Sequence, residues 1–538
     1  MRFIRSLHRR LRPSRFGRLV TNGRFSLVSY IEYAPRCASG RAPRSASNRS
    51  VDVVVNNAVR ALVPVLFAAA CGDNIRAEVA VDAPPRIDAR AIDAPDATSG
   101  PLNLTNLSPQ TGLLVRADFV TPLAFSPDGT RVAAVANYAT TVAIPTRNEP
   151  FVVNLDGTGV RRLVAISPAC GNCDIELLAW TADSSTLFAT GDLVINNDVE
   201  AFKLDPEVAQ QTAVLAADDV IAGDVNNLFV VDAGVAGSRV WVVGDWLTDA
   251  RRQAGAFSAT ATLPFSTATP PGLLVPAVPG PTELFDGAGS TADVFEARGA
   301  KIAAVVDSSV TGRFDLVVAN ADGSSPVTLV QGQPGIEISS VALSPDGTKV
   351  AFLMDSVAIN NGNDLYVMAT NGGAASAPIR VSPDRAGGFV NPDQGDVFFT
   401  VEWSRDSRFL AFSGDLTENN FDQGYLVDTM PSTPTVIELL ARSEISSQAS
   451  GAQGIRGKLL FDANNNVYFR ARVTAGSTLF TFFKATPAGT KTVLALPPRA
   501  DMSVPDIGSF GLTPDGTKLV FSCDSPDVDT FNLFLQPL

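Results

Sequence analysis

A thirteen-residue pattern recurs after residue 100 and constrains this chain more than any other feature. Leu123-Ala-Phe-Ser-Pro-Asp-Gly-Thr-Arg-Val-Ala-Ala-Val135 is its first clear copy. Copies follow at 178–190, 341–353, 401–413 and 510–522, and weaker ones at 221–231, 295–305 and 459–469. Self-similarity of this kind marks a repeat architecture. Each copy reads as a β-hairpin. An apolar strand ends at Ser or Thr, whose hydroxyl bonds the turn backbone, and Pro, Asp and Gly supply the turn conformations. A second strand of β-formers follows. The weaker copy at 221–231 is read as a hairpin of the same kind.

Most copies are followed by a third strand, predicted at 151–155, 201–204, 315–318, 364–368, 424–427, 479–483 and 532–535. Outer strands are predicted at 161–164, 327–330 and 379–381. Four antiparallel strands per repeat make a propeller blade. A single blade exposes both apolar faces, whereas a ring of blades covers them and leaves few free edges. The expected fold is therefore all-β, a β-propeller of four-stranded antiparallel blades spanning 101–538. Hairpins start near 122, 176, 221, 292, 338, 398, 455 and 507, giving eight blades of about 55 residues; seven is the alternative, because the third and fourth copies are degenerate. The last repeat has only three strands, and 102–107 is expected to supply the fourth and close the ring. Residues 262–290, rich in Pro, Thr and Gly, read as a long excursion.

On these hairpins the chain resembles the WD-like repeats of TolB-type β-propellers, although no small α/β domain stands ahead of the repeats. It is also similar to the propeller half of prolyl-oligopeptidase-like enzymes. Because the last copy runs to Leu538, no hydrolase domain is expected after it, and that resemblance is not expected to bring peptidase activity.

The first hundred residues read as an address. Residues 1–70 hold 13 Arg and two acids, Glu32 and Asp52. The apolar run Ala61–Ala70 follows Arg60 and precedes Cys71, the order of a secretory signal, and is shorter than the roughly 20 residues a spanning helix needs. Cys71 after three alanines resembles the lipobox cysteine of bacterial lipoproteins, although Ala68 stands where Leu is usual; an ordinary signal peptide is the alternative. Residues 1–50 are expected to lie outside the working protein. A misassigned start is the preferred explanation and an extended export signal the other. Residues 71–100, built of Asp-Ala and Ala-Pro units without aromatics, read as the anchor cysteine and a flexible tether. The expected location is the cell envelope, on the periplasmic or cell-surface face of the outer membrane, held by the lipid alone.

Of the 42 basic and 55 acidic residues, 29 and 53 remain in 71–538, a net charge of −24 that disfavours nucleic acid as a partner. The single histidine, His8, lies in the basic head. The repeats therefore cannot build a Ser-His-Asp triad or a His-based metal site. Carboxylate chemistry survives, since a glycosidase needs only two acids, but no spacing singles out a pair. Ser-Pro-Asp-Gly differs from the sialidase Asp-box in its Gly position and reads as a structural turn.

An acid recurs after the second strand: Asp192, Asp245, Asp307, Asp355, Asp415 and Asp524. With the Asn-rich segments 196–198, 360–364 and 419–422 these form a candidate ligand face, for Ca²⁺ or a cationic partner, or else simple Asx turns. Cys170 and Cys173 are expected to form a local disulfide, with no metal bound. Trp180 and Trp403 hold equivalent repeat positions and read as blade packing; Trp241 and Trp246 are less regular, and Trp246 is a candidate surface residue. The function expected is a noncatalytic, monomeric envelope lipoprotein whose propeller face binds a protein, peptide or other macromolecule. The rival is a carboxylate-dependent carbohydrate-active enzyme or glycan binder, which an apposed pair of acids in a central pocket would favour.

Overall fold

The computed structural model describes residues 20–21, 24–25, 101–105, 123–137, 148–164, 175–191, 199–217, 225–232, 238–244, 253–259, 283–284, 294–307, 314–332, 338–355, 363–372, 377–383, 401–414, 416, 421–431, 433–446, 453–474, 479–497, 506–524 and 532–538. Contacts divide the chain into two compact units, Met1–Arg86 and Ile87–Leu538. In the first, Val20–Thr21 pairs antiparallel with Arg24–Phe25. In the second, the described residues are almost wholly strand, with one short 3-10 turn at Arg442–Glu444.

Strand pairing within the second unit gives seven sheets, one of them eight-stranded. That one is two four-stranded sets joined by a parallel contact of Phe421 with Gln453 and Asp422 with Gly454. Eight sets thus exist among the described residues, and they are called sheets 1 to 8. Sheet 1 runs Ala124–Phe125, Arg131–Asn137, Asn148–Asn154, Arg161–Arg162, and sheet 2 Ile175–Trp180, Leu187–Gly191, Glu200–Leu204, Val214–Ala217. Sheet 3 has three described strands, Val225–Asp232, Ser238–Gly244 and Gln253–Ser258. Sheet 4 has five described strands, because Glu283–Leu284, inside the segment read as an excursion, and Phe295–Arg298 both pair with Lys301–Asp307; sheets 5 to 7 open with Ile338–Leu343, Glu402–Trp403 and Gln453–Phe461. Sheet 8 is Ile507–Leu512, Lys518–Cys523 and Asn532–Pro537.

Its fourth strand is Leu102–Asn103, paired with Leu535 and Phe534. The Leu104 amide donates to Leu533 O at 2.7 Å, and Leu104 is fully buried. The expected closure by the N-terminal segment is therefore present over 102–104; 106–107 lie outside the described residues.

Successive sheets pack face to face in an unbroken circuit. Val132 and Val153 of sheet 1 share a core with Val520 and Leu533 of sheet 8. Ala133 and Val152 meet Leu178 and Leu187 of sheet 2. The first strand of sheet 3 lies against the first two strands of sheet 2. Trp241 of sheet 3 packs on Phe295 of sheet 4, ring centroids 5.4 Å apart. Sheets 4 and 5, 5 and 6, 6 and 7, and 7 and 8 share further cores. A closed circuit of antiparallel sheets, most of them four-stranded among the described residues, is a β-propeller. Burial follows from it: the second strands Leu187–Gly191 and Phe409–Gly414 are buried on both faces, while the outer strand Ile379–Arg380 is exposed.

In sheets 5 to 8 an aromatic pair bridges the second and third strands: Phe352–Tyr366, Phe412–Tyr425, Phe469–Phe483 and Phe521–Phe534. Each such pair contributes about 0.5–1.5 kcal/mol beyond its burial.

One hairpin differs from the sequence reading. Residues 225–232 form a single strand paired with 238–244, so Asn226-Asn227 is not a turn but a register shift inside the first strand. Asn-Asn resembles turn chemistry locally, and pairing with 238–244, with the backbone of this strand set against sheet 2, overrides it.

Candidate functional site

The repeat turns come first, because they consume most of the acids that the sequence motif displays. Ser126 Oγ donates to Asp128 Oδ1 at 2.6 Å, and Asp128 Oδ1 accepts the Thr130 amide at 3.0 Å. Thr181–Asp183, Ser344–Asp346, Ser404–Asp406 and Thr513–Asp515 repeat the bond at 2.5–2.6 Å. Hydroxyls from Thr513 and Thr517 hold Asp515 down at about 2. The turn carboxylates are thus structural, as read from the motif. A second series of acids, near the start of the third strands, is also engaged. Glu149 pairs with Arg162, Asp364 with Arg380 at 3.3 Å and Asp422 with Arg456 at 3.0 Å, while Asp315 accepts the Gly332 amide at 2.9 Å.

Another group of charges gathers on the inner side of the ring. Arg298 of sheet 4 reaches past sheet 5 to Glu402 of sheet 6, Nη2 to Oε1 2.9 Å, and lies 3.8 Å from Glu296. Arg405 of sheet 6 reaches past sheet 7 to Thr513 O of sheet 8 at 2.6 Å and to Pro514 O. Side chains that skip a sheet can meet only on the axial side. They surround an opening of about 440 Å³ lined by Arg298, Pro345, Glu402, Leu460 and Pro514, one from each of sheets 4 to 8.

Local sequence explains how these charges come together. Glu296 and Glu402 occupy the second position of the repeat, where other copies carry Ala124, Ala179, Ala342 or Gly511. Lys458 comes from the bulge between Arg456 and Leu460 in sheet 7, where Gly457 adopts φ 74°. Bulges re-aim side chains in this way. Burial drives the Glu296 carboxyl up to about 7, against the pull of Arg298 and the Leu343 amide that donates to it. Burial also pushes Lys458 down, against the attraction of Glu402. Of Glu296, Arg298, Glu402 and Lys458, Arg298 and Glu402 line the opening together with Arg405, while Glu296 and Lys458 interact with that pair electrostatically, and Glu296 can exchange a proton near neutral pH.

Sequence reasoning did not find these four residues. The available signal was Glu at a repeat position that most other copies fill with Ala or Gly. Of the acids it did name, Asp524 is 5% exposed and accepts the Asp506 amide at 2.6 Å. Asp192, Asp245 and Asp415 lie outside the described residues, as do Trp246, Cys71, Cys170 and Cys173, and the side chains of Asp307 and Asp355 are likewise outside them. Among the described residues no group of three or more His, Cys, Asp or Glu is arranged to hold a metal ion. Trp180, Trp241 and Trp403 are buried, each donating to a carbonyl, Ala124, Ala321 and Ala342 respectively, at 2.8–3.0 Å.

No family model and no curated protein matches the sequence. Among solved structures the chain is similar to an oligogalacturonate lyase in complex with manganese, at 12% identity and TM-score 0.41, over 82% of this chain and 94% of that one. It is similar to oligopeptidase B from Leishmania major at 11% identity and TM-score 0.45, over 76% of this chain and 54% of that one. A Mycobacterium tuberculosis puromycin-hydrolyzing peptidase matches at 15% identity and TM-score 0.43, over 78% of this chain and 61% of that one. At these values the likenesses carry no argument about chemistry. The propeller rests on the pairing and packing described above.

Proposed function

We propose that this chain is a noncatalytic cell-envelope lipoprotein of TolB type. It is exported, anchored through a lipid on Cys71 to the outer membrane, and binds a protein, peptide or other macromolecule through one face of an eight-bladed ring. In this reading it is a monomer and takes no cofactor. One observation carries the reading: the Arg298–Glu402 pair spanning sheets 4 to 6 at the axial opening, with Glu296 and Lys458 beside it. A mouth carrying both signs of charge suits a polar partner that offers donors and acceptors together. The test is recovery of the full chain from membranes with bound proteins identified by mass spectrometry. Wild type is expected to retain an envelope partner that the Arg298→Ala/Glu402→Ala double variant loses. Equal recovery with both chains contradicts the reading.

A second reading, a carboxylate-dependent carbohydrate-active protein, is favoured by one observation: Glu296, raised to about 7, shares Arg298 with Glu402. A carboxyl that is neutral at working pH beside a second acid is the arrangement glycoside hydrolysis needs. Turnover of envelope glycan by the pure protein, abolished in Glu296→Gln, would support it; absence of turnover removes it.

A further inference from the structure

A second opening, of about 620 Å³, lies away from the axis where sheets 8, 1 and 2 meet, lined in part by Arg131, Asp156, Arg161, Glu207 and Lys518. Glu207 stands between two guanidinium groups. Its Oε1 is 2.5 Å from Arg131 Nη1 and its Oε2 3.0 Å from Arg161 Nη2. Lys518 completes a third side and makes no ion pair with another described residue. Asp156 is occupied locally, accepting the Thr158 amide at 2.8 Å and its hydroxyl at 2.6 Å.

Arg131 has a structural task that does not require Glu207. Its guanidinium lies 4.9 Å over Trp180 and donates to Ser184 O at 2.6 Å, joining sheet 1 to sheet 2. At the equivalent joint of sheets 5 and 6, Lys349 lies over Trp403 at 5.7 Å and donates to Ser407 O at 3.0 Å. Its further partner is the Thr429 hydroxyl, and among the described residues no carboxylate forms an ion pair with it, Asp428 acting on it only at longer range. The carboxylate at the first joint is thus an addition to a joint that works without one. It is also the exposed member, 58% accessible against 13% for Arg131. An ion pair with so exposed a partner holds by about 0–1 kcal/mol, so displacing it is cheap.

We infer that this opening is a binding site for an acidic peptide, in which Glu207 occupies the place of a ligand carboxylate and swings out when one arrives. With Glu207 displaced, Arg131, Arg161 and Lys518 offer a fork-and-point array suited to successive carboxylates. The body's strong negative charge repels such ligands elsewhere, which confines the interaction to this spot and makes it salt-sensitive.

The inference is independent of the axial opening. Titration of the full chain with tri-glutamate, followed by calorimetry, tests it. Wild type is expected to bind, Glu207→Gln to bind about three- to tenfold tighter, and Arg161→Ala and Lys518→Ala each to bind about tenfold more weakly. Raising the salt is expected to weaken all of them. Tri-lysine is expected not to bind. No binding by any chain, affinity unchanged in Glu207→Gln, or affinity indifferent to both cation replacements would each overturn the inference. Arg298→Ala/Glu402→Ala serves as the control variant and is expected to bind tri-glutamate as wild type does.

Discussion

The joint between sheets 1 and 2 and the joint between sheets 5 and 6 are built from the same parts. In each, a Trp of the later sheet donates to an Ala carbonyl of the earlier one, at 2.9 Å for Trp180 and 3.0 Å for Trp403. In each, a Ser hydroxyl of the later turn accepts an Asp amide of the earlier turn, at 3.0 Å for Ser184 and 3.1 Å for Ser407. Both serines stand where other copies carry Gly, and both adopt φ near 60°. A non-glycine residue in this region is strained. The bond across the joint compensates, so the departure from Gly follows from docking, not from turn geometry. What differs is the setting. The first joint carries Glu207 on its arginine, while the second borders the charged axial opening through Leu343, whose amide donates to Glu296. The frame of the joint is thus repeated, and the chemistry attached to it is not.

Replacement of the indoles sharpens the comparison most. Trp403→Ala is expected to cost about 3–5 kcal/mol in denaturant unfolding, because a fully buried ring leaves a cavity and an unpaired Ala342 carbonyl. Trp180→Ala should cost nearly as much; a negligible loss there would show that the two joints are not equivalent.

Titration should separate them. Glu296 has a folded value of about 7, above its ordinary 4.5. Its stabilising contribution is present in full below about 4.5 and is lost as pH rises through 7. Wild type should therefore lose on the order of 1–3 kcal/mol across that window from this group, and Glu296→Gln should not. The slope should persist in Trp180 variants, since that joint holds no such group. An unchanged slope in Glu296→Gln would assign the pH dependence elsewhere.

The turn serines give a smaller and more specific effect. Ser407→Ala and Ser184→Ala keep the strained conformation and lose the bond, at about 1–2 kcal/mol each. Ser407→Gly relieves the strain and should cost less than Ser407→Ala. The reverse order would mean that the positive φ carries no cost here. Smallest of all, Glu207→Gln should move the unfolding midpoint by less than about 0.5 kcal/mol, and less still at high salt. A large loss would make Glu207 part of the joint and remove the second site.

Much of the ring was legible from local chemistry. The Ser-x-Asp-Gly turns, the alternating strands and the orphan segment at 102 each declare themselves within a dozen residues, and the pairing of Leu102 with Leu535 completes what the three-stranded last repeat implied. The strand at 225–232 was hidden because Asn226-Asn227 has turn composition, and the pairing with 238–244 and the contact with sheet 2 that keep it extended are not local. The axial charges were hidden for a different reason. Arg298 and Glu402 are 104 positions apart and meet only because the ring brings alternate sheets together. Nothing local pairs them, although each Glu at a position that most copies fill with Ala or Gly was visible. The Arg131–Glu207 contact joins different repeats in the same way.

Closure by the N-terminal segment is the claim on which both sites depend. Amide hydrogen exchange at Leu104 and Leu533 tests it most directly, since Leu104 N donates to Leu533 O at 2.7 Å and Leu533 N donates to Thr105 Oγ1 at 3.0 Å. Both amides should be protected as strongly as that of Val520 in the neighbouring strand. Exchange of Leu104 and Leu533 at the rate of an open chain end, with Val520 still protected, would contradict the closed ring.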